Sequence, residues 1–399
     1  MNLFALYLLP LVPIFGHLSN DILRLHLATD PPNLDTNTVC MNYPYLSTAQ
    51  LELCKLYPDV TASAIQGIQV AVHECQYQLK TYRWNCSTLE TKNKNPEFSP
   101  VFKRGYRETA FAHAISAAGV THQVSTACSL GKLRSCGCDM TSHGPAISWE
   151  WGGCSHNIEF GDHFARKFLD AKDTAKDIQA QINLHNHRAG RLAVINNVGR
   201  TCKCHGMSGS CEMKTCWKST ADFREVGTVL KEKFKAARKV ILHNTVANSL
   251  VTRDRHRRRR RRRPKKPVST TTAMLQKHSR METLKIDLKT KHNRQAQKGR
   301  KKRKRKRLRG RYPRKTDLVY YEKSPSFCDP DPEIDSLGTT GRFCNRTGSD
   351  VDNCDTLCCG RGYNTLRVRR TERCNCKFYW CCYVLCDECV FDEWVTVCK

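Results

Sequence analysis

Apolar residues recur along the first half of the chain at helical spacing. Between Pro58 and Lys80, Ile65, Ile68 and Val72 fall near one face, the pattern of an amphipathic helix. From Val101 onward, Phe102, Tyr106, Ala110, Ala114 and Ala117 keep close to an i, i+4 period, and Ser99-Pro100 reads as the helix start. Residues 160–184 repeat the pattern through Phe164, Phe168 and Ile178, and a further helix is expected from Asn186 to Val198. The small residues on these faces suit close helix packing, so we read them as core. The end of the chain is patterned differently. Aromatic and β-branched runs such as KFYWCCYVLC and CVFDEWVTVC predict short strands, and Gly360, Gly362 and Asn364 mark turns.

Cysteine usage sharpens this division. The 399 residues include 24 cysteines, twelve between residues 40 and 250 and twelve between 328 and 398. Such usage fits an oxidising compartment. A unit as small as 328–399 rarely buries enough apolar surface to fold unaided, so disulfides must staple it, each contributing about 2–5 kcal/mol. The apolar stretch LFALYLLPLVPIF, Leu3 to Phe15, has signal-peptide length, and residues 1–19 are read as that signal. Two acceptor sequons, Asn85-Cys86-Ser87 and Asn345-Arg346-Thr347, agree with secretion. No apolar run reaches the roughly 18 residues that a membrane span needs. The expected fold class is α plus a small disulfide-rich β part. A helical N-terminal domain (40–250) carries a hairpin, and a cysteine-rich, cytokine-like C-terminal domain of β-hairpins (328–399) follows.

Charge adds a third part. The chain carries a formal +30, and residues 253–315 hold 30 Lys and Arg against three acids, Asp254, Glu282 and Asp287, a net +27. The densest runs are Arg257–Arg263 and Lys301–Arg309. Like-charge blocks repel and bury little, so residues 251–320 are expected to be a disordered linker or insert. Clustered cations would bind a polyanion, and heparan sulfate on proteoglycans is the expected partner. RRRR-type runs also offer sites to furin-like proteases. Nucleic acid is not expected, because no base-reading module accompanies the basic runs.

The most informative stretch is Cys202-Lys203-Cys204-His205-Gly206-Met207-Ser208-Gly209-Ser210-Cys211, followed by Cys216. Four cysteines and two central glycines describe a tight hairpin, with Cys204–Cys211 closing the tip and Cys202–Cys216 bracing the base. Gly206 and Gly209 allow positive φ and leave the tip uncovered, so that Ser208 would be presented. Three readings compete here. A zinc site would use Cys and His, but structural sites prefer C-x₂₋₄-C spacing. A hydrolase nucleophile with His205 as base would need glycine at position 210, where the chain has Ser210. The third reading is a presented loop whose serine is modified or touches a partner.

The string C-K-C-H-G-M-S-G-S-C resembles the signature of the Wnt secreted growth factors. The resemblance extends through HECQYQLKTYRWNCS (73–87), RETAFAHAISAAGVTHQVSTAC (107–128), LRSCGCD (133–139), CCGRGYNT (358–365), CNCKFYWCCYVLC (374–386) and the closing Cys398. Residues 83–111 are most similar to the Wnt ten subgroup. The resemblance implies no enzymatic activity and no cofactor, but a covalent palmitoleate on Ser208, installed by the acyltransferase Porcupine. The Wntless carrier would escort the product. The acyl chain would enter a groove on a Frizzled cysteine-rich domain, and burying roughly ten methylenes supplies on the order of 8 kcal/mol. Lys203, Met207 and Ser208 would touch the receptor from the loop. Phe378, Trp380, Cys381, Cys382 and Val384 would touch it from a C-terminal finger. An LRP-class co-receptor would complete the complex and activate Wnt signalling, with β-catenin-dependent output, in development and cell-fate specification. The alternatives are a basic matrix-binding protein or a secreted hydrolase.

The resemblance also implies a disulfide frame: Cys75–Cys86, Cys128–Cys136, Cys138–Cys154, Cys328–Cys359, Cys344–Cys354, Cys358–Cys398, Cys374–Cys389, Cys376–Cys386 and the adjacent pair Cys381–Cys382. Cys40 and Cys54 pair by elimination. Adjacent Cα atoms lie about 3.8 Å apart, closer than the usual disulfide spacing, so the last bond would force a tight turn. Asn85 matches a recurrent family glycosylation position, and Asn345 is the second expected site. The basic segment is longer than the family's usual linker.

Overall fold

A computed structural model describes residues 38–43, 46–89, 99–139, 152–171, 177–243, 249–252, 312–379 and 383–399. The expected signal peptide, the basic residues 253–311 and the finger residues Trp380, Cys381 and Cys382 lie outside the described residues.

The first half is helical: α1 (Val39–Asn42), α2 (Thr48–Leu56), α3 (Pro58–Leu79), α4 (Arg107–Ser129), α5 (Ile158–Asp170), α6 (Ile178–Ile195) and α7 (Phe223–Lys235). Local chemistry sets the starts. Ser47 and Gln50 form a reciprocal capping box at α2, and Pro58 occupies the first turn of α3. Asn157, Asp177 and Asp222 cap α5, α6 and α7 with side-chain acceptors. Helix α4 is central and packs against α3, α5, α6 and α7. Small residues permit the closest crossing: a Cβ on Gly119 would stand 2.2 Å from the Gly67 carbonyl oxygen of α3. Phe111 and Phe234 meet edge-on at 5.6 Å in the core beneath, with Ile115, Leu79 and Leu230 fully enclosed.

Two helix expectations are corrected. The helix read from Val101 begins at Arg107. Pro100–Lys103 forms a separate 3-10 turn, and the Gly105 backbone is taken by the far end of the chain. Gly105 N donates to Glu322 Oε2 (3.1 Å), and its carbonyl accepts from the backbone amides of Tyr321 and Glu322. The stretch read as one helix over 160–184 is divided between α5 and α6, and α6 continues to Ile195 through the helix expected from Asn186.

Strands β1 (Val198–Cys204) and β2 (Lys214–Thr220) form an antiparallel hairpin with Cys202 opposite Cys216. Strand β3 (Arg238–His243) pairs antiparallel with β4 (Ser249–Thr252) and parallel with β5 (Val319–Tyr320). The segment expected to be a linker over 251–320 therefore has both ends in strands. Asn186 on α6 fixes the return, exchanging two 2.9 Å bonds with the Val319 backbone.

The C-terminal part holds β6 (Phe343–Cys344), α8 (Cys354–Leu357), β7 (Tyr363–Tyr379) and β8 (Tyr383–Cys398). The expected short strands are instead one ribbon of 17 and 16 residues, with a bulge between Cys374 and Lys377. Gly360 and Gly362 take positive φ at its start, whereas Asn364 lies within β7 opposite Val397. Strand β6 pairs with β8 only at two positions. The local core is small: Cys354, Leu357, Cys358 and Cys398, with Cys344 and Tyr363 against it.

Among the described residues, the structure joins Cys40–Cys54, Cys75–Cys86, Cys128–Cys136, Cys138–Cys154, Cys202–Cys216 and Cys204–Cys211 in the first half. In the second it joins Cys328–Cys359, Cys344–Cys354, Cys358–Cys398, Cys374–Cys389 and Cys376–Cys386. The halves meet without a shared disulfide. Phe327 inserts its ring between Trp84 and Tyr106 (6.5 and 6.4 Å). Two arginines reach across reciprocally. Arg342 donates to the carbonyls of Arg83 (2.6 Å) and Lys80 (2.8 Å), while Arg83 donates to the Thr356 carbonyl (2.7 Å).

Candidate functional site

The β1–β2 hairpin has a fixed base and a bare tip. At the base, β2 is bound along the 155–157 segment. Lys218 N donates to Ser155 Oγ (3.1 Å), His156 N donates to the Lys218 carbonyl (2.9 Å), and Thr220 N donates to His156 Nδ1 (3.2 Å). Nδ1 thus acts as an acceptor, and burial pushes the His156 pKa down. His122 on α4 bonds the Ala221 carbonyl at 3.1 Å, and burial lowers its pKa too. Two half-buried imidazoles, both with burial disfavouring the charged form, therefore hold the hairpin against the rest of the first half.

Above the base the side chains turn to solvent. Cys202–Cys216 braces the two strands, and Cys204–Cys211 closes the tip. These bonds consume all four thiols, which removes the zinc reading of the motif. Within the tip, Gly206 N donates to the Ser210 carbonyl (2.8 Å), and Ser210 N donates to the Met207 carbonyl (3.0 Å). Met207–Gly209 forms a single 3-10 turn in which Ser208 stands at φ 55, ψ 27, a left-handed conformation that costs a residue with Cβ about 1–2 kcal/mol. The expected roles of the glycines change accordingly. Gly209 takes positive φ (77°), but Gly206 lies at φ −67° and is needed for room, since its Cβ would stand 2.1 Å from Ser210 Oγ. The positive φ that Gly206 would allow is not used there and is taken by Ser208 itself. Lys203, Met207 and Ser208 are all exposed. Met207 is 90% exposed, and Met213, which the sequence reading did not single out, is 67% exposed.

The second group of expected residues sits at the far end of the β7–β8 ribbon. Phe378 and Val384 face one another in register and are exposed. Trp380, Cys381 and Cys382, expected between them, lie outside the described residues. Cys374–Cys389 and Cys376–Cys386 staple the ribbon below. Tyr379 and Tyr383 stack at 5.3 Å, and Leu385 is also exposed. These three apolar neighbours were not named from sequence, although the YWCCYVL run contains all of them. Both expected glycosylation positions have their amide oxygen engaged by their own sequon. Asn85 Oδ1 accepts from Ser87 Oγ (2.8 Å), and Asn345 Oδ1 accepts from Thr347 Oγ1 (3.2 Å).

A family profile described as the wnt family matches residues 42–399. The chain belongs to the Wnt family. Mouse Protein Wnt-3a is 37% identical over 402 residues, covering 98% of this chain and 99% of that relative. Human Protein Wnt-3a is 38% identical over 367 residues, covering 90% and 89%. A solved structure of human WLS in complex with WNT8A aligns with a TM-score of 0.54 at 30% identity, covering 92% of this chain and 99% of that one. The expected placement in the Wnt ten subgroup is not supported by these relatives, which are Wnt-3a proteins. Wnts are secreted signalling ligands and not enzymes, and they need no cofactor. The helical first half and the disulfide-rich β-hairpin second half match the Wnt fold. No described helix is long and apolar enough to cross a membrane.

Proposed function

We propose that this Wnt is acylated on Ser208 with palmitoleate and binds a Frizzled cysteine-rich domain through two extensions, the acylated hairpin and the β7–β8 finger. One observation carries the reading: Ser208 stands exposed, in a left-handed conformation, at the tip of a doubly disulfide-braced hairpin whose base is fixed to α4 and the 155–157 segment. A rigid stalk with a bare tip loses little conformational freedom when its end enters a groove. Phe378 and Val384, with Tyr379, Tyr383 and Leu385, give the finger the apolar, aromatic surface that dominates interface energy.

Porcupine would attach the acyl group and Wntless would carry the product, in keeping with the WNT8A relative found in complex with WLS. An LRP-class co-receptor completes the signalling assembly, with β-catenin-dependent output. Residues 253–315 bind heparan sulfate and hold the ligand in the extracellular matrix. Asn85 and Asn345 carry N-linked glycans.

Mass spectrometry of the secreted protein, co-expressed with Porcupine, tests the central claim. The tryptic Cys204–Lys214 peptide is expected to carry a C16:1 oxyester on Ser208. Ser208→Ala is expected to abolish Frizzled-dependent signalling while leaving the fold intact. A bare Ser208 in an active preparation would overturn the reading. Heparin elution tests the basic segment, since deletion of 253–315 is expected to lower the eluting salt concentration markedly.

A further inference from the structure

We propose that the glycan on Asn345 folds back over the Trp394 indole and covers the open edge of β8. The inference rests on the glycosylation of Asn345 given above and concerns where the sugar lies.

The edge is the first observation. Strand β6 pairs with β8 only through Phe343↔Val397 and Cys344↔Thr396. At Asn345 the backbone turns away: its amide donates to the Asp352 carbonyl (2.8 Å), and its carbonyl accepts from Cys354 N (3.1 Å). From Val395 towards Tyr383, β8 therefore has β7 on one side and no described strand on the other. An unpaired edge on a long, exposed ribbon is a template for pairing with another chain unless something covers it.

The hollow beside that edge is the second. A cavity of about 420 Å³ is lined by Asn345 and Thr347 on one side and by Thr365, Trp394 and Thr396 on the other. By register, Thr365, Thr396 and Trp394 share one face of the ribbon. Trp394 is 69% exposed, so its indole is open to solvent where it lines the hollow.

The third observation is the acceptor itself. Asn345 is exposed, and its Oδ1 receives three bonds, from Thr347 N (3.1 Å), Thr347 Oγ1 (3.2 Å) and Gly348 N (3.1 Å). This fixes the side chain at the rim of the hollow and leaves Nδ2 for the sugar. A pyranose has one face of C–H groups, which packs on the electron-rich face of an indole, while its hydroxyls stay in water. The glycan thus removes an apolar surface from solvent and fills the space that a pairing strand would need.

The test uses the full chain secreted from glycosylating cells. Glycopeptide mass spectrometry first establishes occupancy of Asn345; an unoccupied site overturns the glycosylation reading and the inference with it. Native-state release by an amidase that cleaves N-glycans is then timed at both sites. Trp394→Ser is expected to speed release at Asn345 several-fold and to leave Asn85 unchanged. Thr347→Ala, which keeps the asparagine but loses the sugar, is expected to increase self-association, and adding Trp394→Ser is expected to reverse that. An occupied Asn345 released at equal rates with and without Trp394 overturns the inference while leaving the glycosylation reading in place.

Discussion

The helical first half and the ribbon-rich second half of this Wnt reach order by opposite routes. In the first, Phe111, Phe168, Phe234, Ile65 and Leu230 are wholly enclosed, and disulfides decorate an apolar core. In the second, three of the four residues in the small local core are cysteines, and the ribbon leaves Trp394, Phe391, Val390 and Leu366 in solvent. Burial organises one half and covalent bonds the other, consistent with the difficulty a small unit has in burying enough surface. The two exposed extensions, the β1–β2 hairpin and the β7–β8 ribbon, follow the same division. The short hairpin leans on the first half through His156 and, on α4, His122, whereas the long ribbon is held by its own staples.

The sharpest way to break this comparison is to reduce the protein. Hydrogen exchange under reductant is expected to show loss of protection throughout β7 and β8, with α3 and α4 still protected. Next in size, Phe111→Ala should cost about 3–5 kcal/mol in denaturant unfolding, because it empties a filled core. Replacing both Cys358 and Cys398 by alanine opens a loop of sequence separation 40 and should cost about 4 kcal/mol, read as early melting of the second half. Truncating both Arg83 and Arg342 removes the reciprocal bonds between the halves, for about 1–3 kcal/mol. Calorimetry should then resolve two transitions.

The smallest effect is pH. Burial, with the neighbouring His187 second, holds His113 well below its ordinary pKa, and burial lowers His122, His156 and His185. Folding therefore disfavours protonation of these imidazoles, while the unfolded chain binds protons below about pH 6.5. Stability is therefore complete above that pH and falls as the solution is acidified through it. All four lie in the first half, so acid should loosen the helices before the ribbon. His113→Phe, followed by thermal melts at pH 7 and pH 5, should show a smaller drop than the parent.

How much of this was legible depended on where the partner of each residue lay. Ile65, Ile68 and Val72 announced the buried face of α3, because helical burial is written at short range. The start of α4 was not legible, since Gly105 gives its backbone to Tyr321 and Glu322, more than two hundred residues away. The ribbon's length was hidden because both its faces are exposed, so no alternation marks the Arg367–Arg373 stretch. The β3–β4–β5 sheet and α7 went unread. At the hairpin, the motif located Ser208, but the exchange of conformational roles between Gly206 and Ser208 depends on the position of the Ser210 side chain. Apart from the two nested hairpin pairs and Cys40–Cys54, which was left by elimination, the disulfide frame came with the family resemblance.

The separation of the disulfides into two sets has one more consequence. All twelve cysteines of the first half pair among themselves, in short successive loops of which only Cys204–Cys211 is nested in another, so no cross-link joins the first half to the second. A nick inside any cysteine loop would stay invisible until the thiols were reduced. A nick between Cys216 and Cys328 would release two bands on a non-reducing denaturing gel. In native buffer, Phe327, the arginine pair and β5 would still hold the pieces as one particle. The need for reductant thus separates a cut inside a cysteine loop from a cut in the backbone between loops.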